Sequence, residues 1–239
     1  MNLYKLELMK IRLSTYLWAI LGIFASLLAL GILFLFIFQI ETSTGEIAKD
    51  AELFANWNGL FALTTALAFA CFSILSAVIA AKIIVSEYCG KNAVILLSYP
   101  ISRKTILQTK CLIVCGITTF SACVSNVLVI GMMYITAQIF KTVPQMNTEH
   151  FTLTVFLSSI VMGIASASLG VIAAVFGMNK RSQITTIVCA LLIVCVVTNA
   201  ITISPNNMIL VMVIMGAAFI VIANVMYHTL ANKIEKMEI

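Results

Sequence analysis

Charged side chains are missing from five long intervals of this chain, and that spacing constrains the fold more than any other feature. Four of the intervals hold 28 residues (Leu13 to Ile40), 29 (Leu53 to Ala81), 30 (Cys111 to Phe140) and 30 (His150 to Asn179). About 20 apolar residues suffice for a helix to cross a bilayer, so each interval is long enough to span one. The fifth interval, Ser182 to Asn232, holds 51 residues and is too long for one helix. The run TISPNN, Thr202 to Asn207, breaks it with a proline and two asparagines, a turn signal that divides it into two spans. Six spans are therefore expected, over about 17–40, 56–82, 109–138, 151–177, 183–203 and 207–230.

Composition supports this reading. Of 239 residues, 62% are hydrophobic and 10% are charged, against roughly 25% charged in an ordinary soluble domain. The fold class expected is an all-α polytopic membrane protein, a single transmembrane domain over 1–239. The first apolar run, Leu17 to Phe38, exceeds the roughly 7–15 residues of a signal-peptide core, and no small-residue cleavage site follows it. It is read as a true span.

Short loops rich in lysine and arginine stay in the cytoplasm. Lys5, Lys10 and Arg12 precede the first span; Lys82, Lys91, Arg103, Lys104 and Lys110 follow the second; Lys180 and Arg181 follow the fourth; Lys233 and Lys236 follow the sixth. Only Lys49 and Lys141 fall on the other side, so both termini are expected in the cytoplasm. Trp18 and Trp57 sit near span ends, where amphipathic rings favour the interface. Residues 1–16 place Leu6, Met9, Leu13 and Tyr16 on one helical stripe with Lys5 and Arg12 away from it. Such a segment either lies in the interface plane or extends the first span.

The spans lack the ionisable groups that intramembrane proteolysis or proton-coupled transport usually requires. His150 and His228 lie near span ends and read as interfacial or packing residues. Cys111 and Cys115 share a face at i, i+4, with no histidine or carboxylate beside them, and read as small apolar residues and not as metal ligands. No metal site is expected, and with no loop cysteine assigned outside, structural disulfides are not expected either. Inside the spans the polar residues are hydroxyls and amides: Thr64, Thr65, Ser73, Ser76, Ser121, Ser125, Asn126, Asn199 and Asn224. Interhelical hydrogen bonding is their commoner use, with a substrate route the alternative. Gly163, Ala167, Gly170 and Ala174, spaced four, three and four, form a small-residue face that admits a close helix neighbour, in this chain or another.

Between the second and third spans lies SEYCGKNAVILLSYPISRK, Ser86 to Lys104. Its Gly-Lys pair is not a phosphate loop, which requires G-x-x-x-x-G-K-[ST]; Asn92 stands at the hydroxyl position and Ile84 at the first glycine. The segment does have internal order. Asn92 can cap an apolar stretch through Tyr99 that Pro100 ends, and Ser102 can cap the next helix. A two-turn apolar helix on the cytoplasmic face needs lipid headgroups or another protein to cover it.

Extended through Lys110, this segment resembles the region after the second span in bacterial permease subunits of the type-two ABC exporter class. The matching positions are Glu87, Gly90, Leu96, Leu97, Pro100, Ser102, Arg103 and Lys110; Lys91 and Asn92 stand where that family often has threonine after the glycine. The motif covers about 25 residues, while six spans and a length near 240 extend the likeness to the architecture of the whole chain. The resemblance implies an N-terminal interfacial helix over 1–16 and a coupling helix within 86–104 docked on a separate P-loop ATPase. It implies that ATP and magnesium sit on that ATPase, with no cofactor or catalysis on this chain. A second permease chain, identical or a sister subunit, completes the pair. Glu87 and Arg103 are then structural electrolytes of the joint, with a Glu87 salt bridge to Arg12 or Arg103 expected as an exposed pair worth about 0.2–1 kcal/mol.

Chains this short resemble the permeases that protect against lantibiotics and bacitracin-type peptides. That implies location in the bacterial cytoplasmic membrane and an amphipathic peptide cargo moved outward for resistance or self-immunity. Another hydrophobic cargo (a lipid, a drug or a peptide toxin) is the alternative within the class. A non-transporting sensor or assembly subunit is the alternative outside it. Lipids are the remaining partner, and no nucleic acid is expected.

Overall fold

The computed structural model describes residues 4, 13–44, 57–89, 103–140, 148–203 and 208–235. Every long element is a helix, and no strand occurs among the described residues. We number six: α1 (Leu13–Thr44), α2 (Trp57–Ala80), α3 (Arg103–Phe140), α4 (Thr148–Asn179), α5 (Gln183–Ile203) and α6 (Met208–Glu235). Six stretches are long and apolar enough to cross a membrane, one on each helix. The chain is thus an all-α, multi-pass membrane protein. Several helices run past the uncharged intervals that define them: α1 continues to Thr44, and α3 begins at Arg103, eight residues before Cys111. A helix has no reason to stop at the hydrocarbon boundary, because its backbone bonds are satisfied within the segment on either side. Of residues 1–16, Tyr4 is helical and 13–16 belong to α1; the remainder lie outside the described residues, as do the turn residues 204–207.

The helices differ sharply in how far they are enclosed. The spans of α2 and α4 are mostly buried and that of α3 is half buried, whereas less than a third of each span on α1, α5 and α6 is covered. A central trio with three outer helices results. In lipid, helices gain little from hiding apolar surface from one another, since acyl chains are as apolar as leucine; close packing and interhelical hydrogen bonds must do that work. Residues on the central helices are chosen accordingly. The fully enclosed large side chains Phe72, Ile79, Ile113, Met162 and Leu169 lie on α2, α3 and α4.

Glycines on α4 bring its neighbours within backbone distance. A Cβ added at Gly163 would stand 2.8 Å from Cys123 Sγ and 3.0 Å from the Thr119 carbonyl oxygen on α3; one at Gly170 would stand 1.9 Å from Ser76 Oγ on α2. At Gly177 it would meet Thr186 Oγ1 on α5 at 1.8 Å and Val85 at 3.2 Å. Ala167 and Ala174, between these glycines, are buried. One stripe thus meets three helices of the same chain at successive levels along α4.

The α4–α5 hairpin closes tightly. The Ser182 N–H donates to the Gly177 carbonyl at 3.0 Å and the Arg181 N–H to the Met178 carbonyl at 3.2 Å. This is the paired pattern of a helix end that reverses through a left-handed residue. Arg181 supplies that residue at φ 50°, where glycine is the usual choice. Ser182 then caps α5, its Oγ accepting from the Thr185 N–H at 3.5 Å.

Candidate functional site

Beyond Ala80 the helix of α2 widens into one π turn, Ala81–Val85, and resumes as an α turn over Ser86–Cys89. The residues Ile83, Ile84 and Val85 are all β-branched and all buried. Such side chains crowd the preceding turn of an α-helix. A π turn carries one extra residue, and each residue advances a helix by about 100°, so the face presented beyond it is turned accordingly. Ser86 anchors the transition by donating its hydroxyl to the Lys82 carbonyl at 2.5 Å. Lys82 itself is exposed and places its ammonium 5.9 Å from the centre of the Tyr16 ring, joining α2 to the start of α1 by a cation–π contact.

Past the π turn, Glu87 faces α3, and its carboxylate oxygen Oε2 accepts a charge-assisted hydrogen bond from Lys110 Nζ. The Lys110 side chain is 0% exposed and that of Glu87 16%. A lysine enclosed to this degree needs a counter-charge, and Glu87 provides it. The pair lies at the same end of the bundle as the α4–α5 hairpin, because Gly177 meets Val85 of the π turn and Thr186 of α5. Lys82, Lys104, Lys110, Lys180 and Arg181 therefore gather at one end, which we call the basic end.

The sequence-derived coupling positions distribute as follows. Glu87 is in the last described turn of the α2 helix, and Arg103 opens α3. Gly90, Asn92, Leu96, Leu97, Pro100 and Ser102 lie outside the described residues, as do the side chains of Arg12 and Arg103. Glu87 pairs with Lys110, seven residues inside α3; the expected pairs with Arg12 or Arg103 fall on side chains outside the described residues. The Glu87–Lys110 pair is partly buried, so the value for an exposed pair does not apply to it.

A second polar feature, free of charge, lies farther along the same helices. Asn126 Nδ2 on α3 donates to Ser159 Oγ on α4 at 2.8 Å, and the Ser159 hydroxyl donates to the Val155 carbonyl at 2.7 Å. One turn along, the Cys123 thiol donates to the Ser159 carbonyl at 3.2 Å; the Thr119 hydroxyl donates to the Gly163 carbonyl at 3.4 Å. The small face of α4 is what lets these short side chains reach across. The Asn126 carbonyl oxygen is buried without a partner, as are the hydroxyls of Ser73 and Ser76 on α2. Other buried hydroxyls, such as Thr64, Thr65, Thr118 and Ser158, donate to carbonyls of their own helix.

Sequence reasoning named Lys110 and Asn126 but assigned neither partner. Gly177 extends the four-three-four spacing of the α4 stripe by one more step and was legible on that ground. Nothing in the sequence marks Ser159 or Thr186. Among the described residues, no cluster of three histidines, cysteines or carboxylates could hold a metal ion.

No protein-family model matches the chain. No solved structure matches it. It is similar to an uncharacterised protein of Bacillus subtilis, YcbO, with 26% identity over 200 residues that cover 83% of this chain and 84% of that one.

Proposed function

We propose that this chain is the membrane-spanning permease subunit of an ATP-driven exporter of the type-two ABC class. In this reading it works with a separate cytoplasmic P-loop ATPase, which holds ATP and magnesium, and with a second permease chain. The observation that carries the proposal is the Glu87–Lys110 pair. These are two charged positions of the sequence motif, and they fasten the end of α2 to α3. The coupling segment, residues 86–104, thus contains Glu87 and leads into the helix that carries Lys110. A displacement applied to that segment by an ATPase would pass into α2, which is enclosed by the other helices, and into α3.

The basic end is the cytoplasmic one on this reading, since lysine and arginine favour that side. The termini lie on it, in the bacterial cytoplasmic membrane. The cargo is an amphipathic peptide antibiotic of lantibiotic or bacitracin type, moved outward for resistance or self-immunity. Buried methionines on three helices, Met133, Met162, Met178 and Met212, supply the adaptable apolar surface that such a cargo favours.

The test is to tag the full chain, solubilise it gently, identify what copurifies, and assay ATP hydrolysis with and without nisin-like and bacitracin-like peptides. A copurifying P-loop ATPase stimulated by peptide is the expected result. Its absence in several detergents would overturn the exporter reading and leave a non-transporting membrane subunit. Stimulation by a lipid or drug in place of peptide would keep the class and change the cargo. Arg103→Glu is expected to lower peptide-stimulated hydrolysis while insertion stays normal; unchanged stimulation would remove Arg103 from the coupling role.

A further inference from the structure

Helix α2, with its π-turn continuation, is enclosed along nearly its whole length, and the one line it leaves open ends in a cation. Between Gly59 and Val85 only Val78 and Lys82 are exposed, and Cys71 and Ile74 before them are half-buried. Spacings of three, four and four put these four residues on one side of the helix. From Cys71 to Lys82 the strip measures about 16 Å at 1.5 Å per residue, close to half of a hydrocarbon core about 30 Å thick. It has the length of one leaflet.

Lys82 is placed unlike the other cations of the basic end. Lys180 and Arg181 lie beyond the span of α4, and Lys104 is the first residue of the span of α3. Lys82 is six residues inside the end of its own span at Tyr88, about 9 Å at the helical rise. Its side chain reaches back to the ring of Tyr16, near the start of the α1 span, as long basic side chains do at a membrane boundary. The cation–π contact holds the ammonium in place and leaves its N–H donors to other acceptors. Among the described side chains Glu87 is the only carboxylate, and it pairs with Lys110. A cation fixed at the boundary, at the head of an apolar strip one leaflet long, matches an anion that carries an acyl chain.

We propose that Cys71, Ile74, Val78 and Lys82, beside Tyr16, form a binding site for one anionic glycerophospholipid. The phosphodiester rests on the Lys82 ammonium and an acyl chain runs along Val78, Ile74 and Cys71. A zwitterionic headgroup is selected against, because its own ammonium offsets the charge that Lys82 attracts. Lys82 belongs to the π turn, and Ser86, which donates to its carbonyl, directly precedes Glu87. The bound lipid therefore braces α1 and α2 at the segment that sets Glu87 against Lys110. The site requires only the membrane-spanning fold, and it stands if no ATPase is found.

The test reconstitutes the full chain in phosphatidylcholine vesicles holding a minor fraction of phosphatidylglycerol. A photoreactive side chain is introduced at Val78 or, in a second preparation, at Leu192, an exposed residue of α5 at similar depth. Mass spectrometry of the lipid adducts reads the headgroup. Adducts at Leu192 are expected to follow the bulk lipid ratio, and those at Val78 to favour phosphatidylglycerol about fivefold, the scale of one basic residue at an anionic surface. Lys82→Gln is expected to return Val78 to the bulk ratio, and Lys82→Arg to keep the preference. Soluble glycerol phosphate, which has the anion without the chains, is expected to leave the preference unchanged. Equal ratios at Val78 and Leu192 in the otherwise native chain, a preference insensitive to Lys82→Gln, or a preference abolished by soluble glycerol phosphate would each overturn the proposal.

Discussion

Helix α3 is held in two places by two kinds of chemistry. Near the basic end, Lys110 is tied to Glu87 by opposite charges; sixteen residues farther along, Asn126 is tied to Ser159 by a neutral hydrogen bond. The separation is about 24 Å at 1.5 Å per residue. Charge is tolerated where one partner still has access to the polar boundary, as Glu87 does at 16% exposure. Deeper in, where an unmatched charge has nowhere to go, the chain uses hydroxyls, a thiol and an amide. Those groups cost less to bury, and the small face of α4 brings them together. The strong contact is thus placed at the end where α2 leaves the bundle, and the weaker contacts lie where helices have to slide past one another if the protein changes shape.

This contrast can be broken most severely at Lys110. Lys110→Met removes the enclosed charge of the pair and is expected to cost about 3 kcal/mol of stability, the lower end for breaking a buried pair because Glu87 keeps some access to the boundary. Adding Glu87→Gln should recover part of that loss, since a pair removed together leaves less uncompensated charge. Equilibrium unfolding in mixed detergent measures both, and a double variant no more stable than the single would show that packing, not charge, is what Lys110 supplies.

Overpacking the α4 stripe comes next. Gly170→Ala places a methyl group in the path of Ser76 and is expected to cost about 1–3 kcal/mol in the same assay. Ser76→Ala should restore only part of it, because the Ser76 Cβ would itself stand 2.8 Å from the new methyl. Smaller still is the neutral seam. Asn126→Leu is expected to cost about 0.6 kcal/mol and at most roughly 1.7, the measured scale for interhelical hydrogen bonds in lipid. Ser159→Ala should lose a similar amount, and the double variant less than the sum. A loss at Asn126 equal to that at Lys110 would erase the distinction between the two fastenings. At the bottom of the scale, Arg181→Gly relieves the left-handed residue of the α4–α5 turn and is expected to stabilise the fold by up to about 1 kcal/mol. The gain should be visible as a small rise in melting temperature.

Much of the fold was legible because charge is so sparse. The uncharged intervals locate all six helices, and the proline-asparagine break falls between Ile203, where α5 ends, and Met208, where α6 begins. What could not be read is which face of each helix meets which neighbour. In a soluble protein the apolar stripe answers that question, but a helix that is apolar all round carries no such contrast. Gly163 and Gly170 stood out by spacing, yet only the packed arrangement of the helices decides that the first meets α3 and the second α2. Lys110 looked like a boundary cation by sequence position; its burial follows from the approach of Glu87, and that approach depends on a π turn which Ile83, Ile84 and Val85 do not by themselves announce.

The π turn also bears on how a chain like this can vary over evolutionary time. A π turn holds one residue more than the α turn it replaces, so it is a place where a helix can accommodate one added residue without losing continuity. Deleting one residue between Ala81 and Val85 would restore an unbroken α-helix, leave everything from Trp57 to Ala80 undisturbed, and swing Glu87 away from Lys110. Among homologous sequences, length differences of one residue at this point should therefore travel with changes of charge at positions 87 and 110, so that the two sites are inherited as a unit.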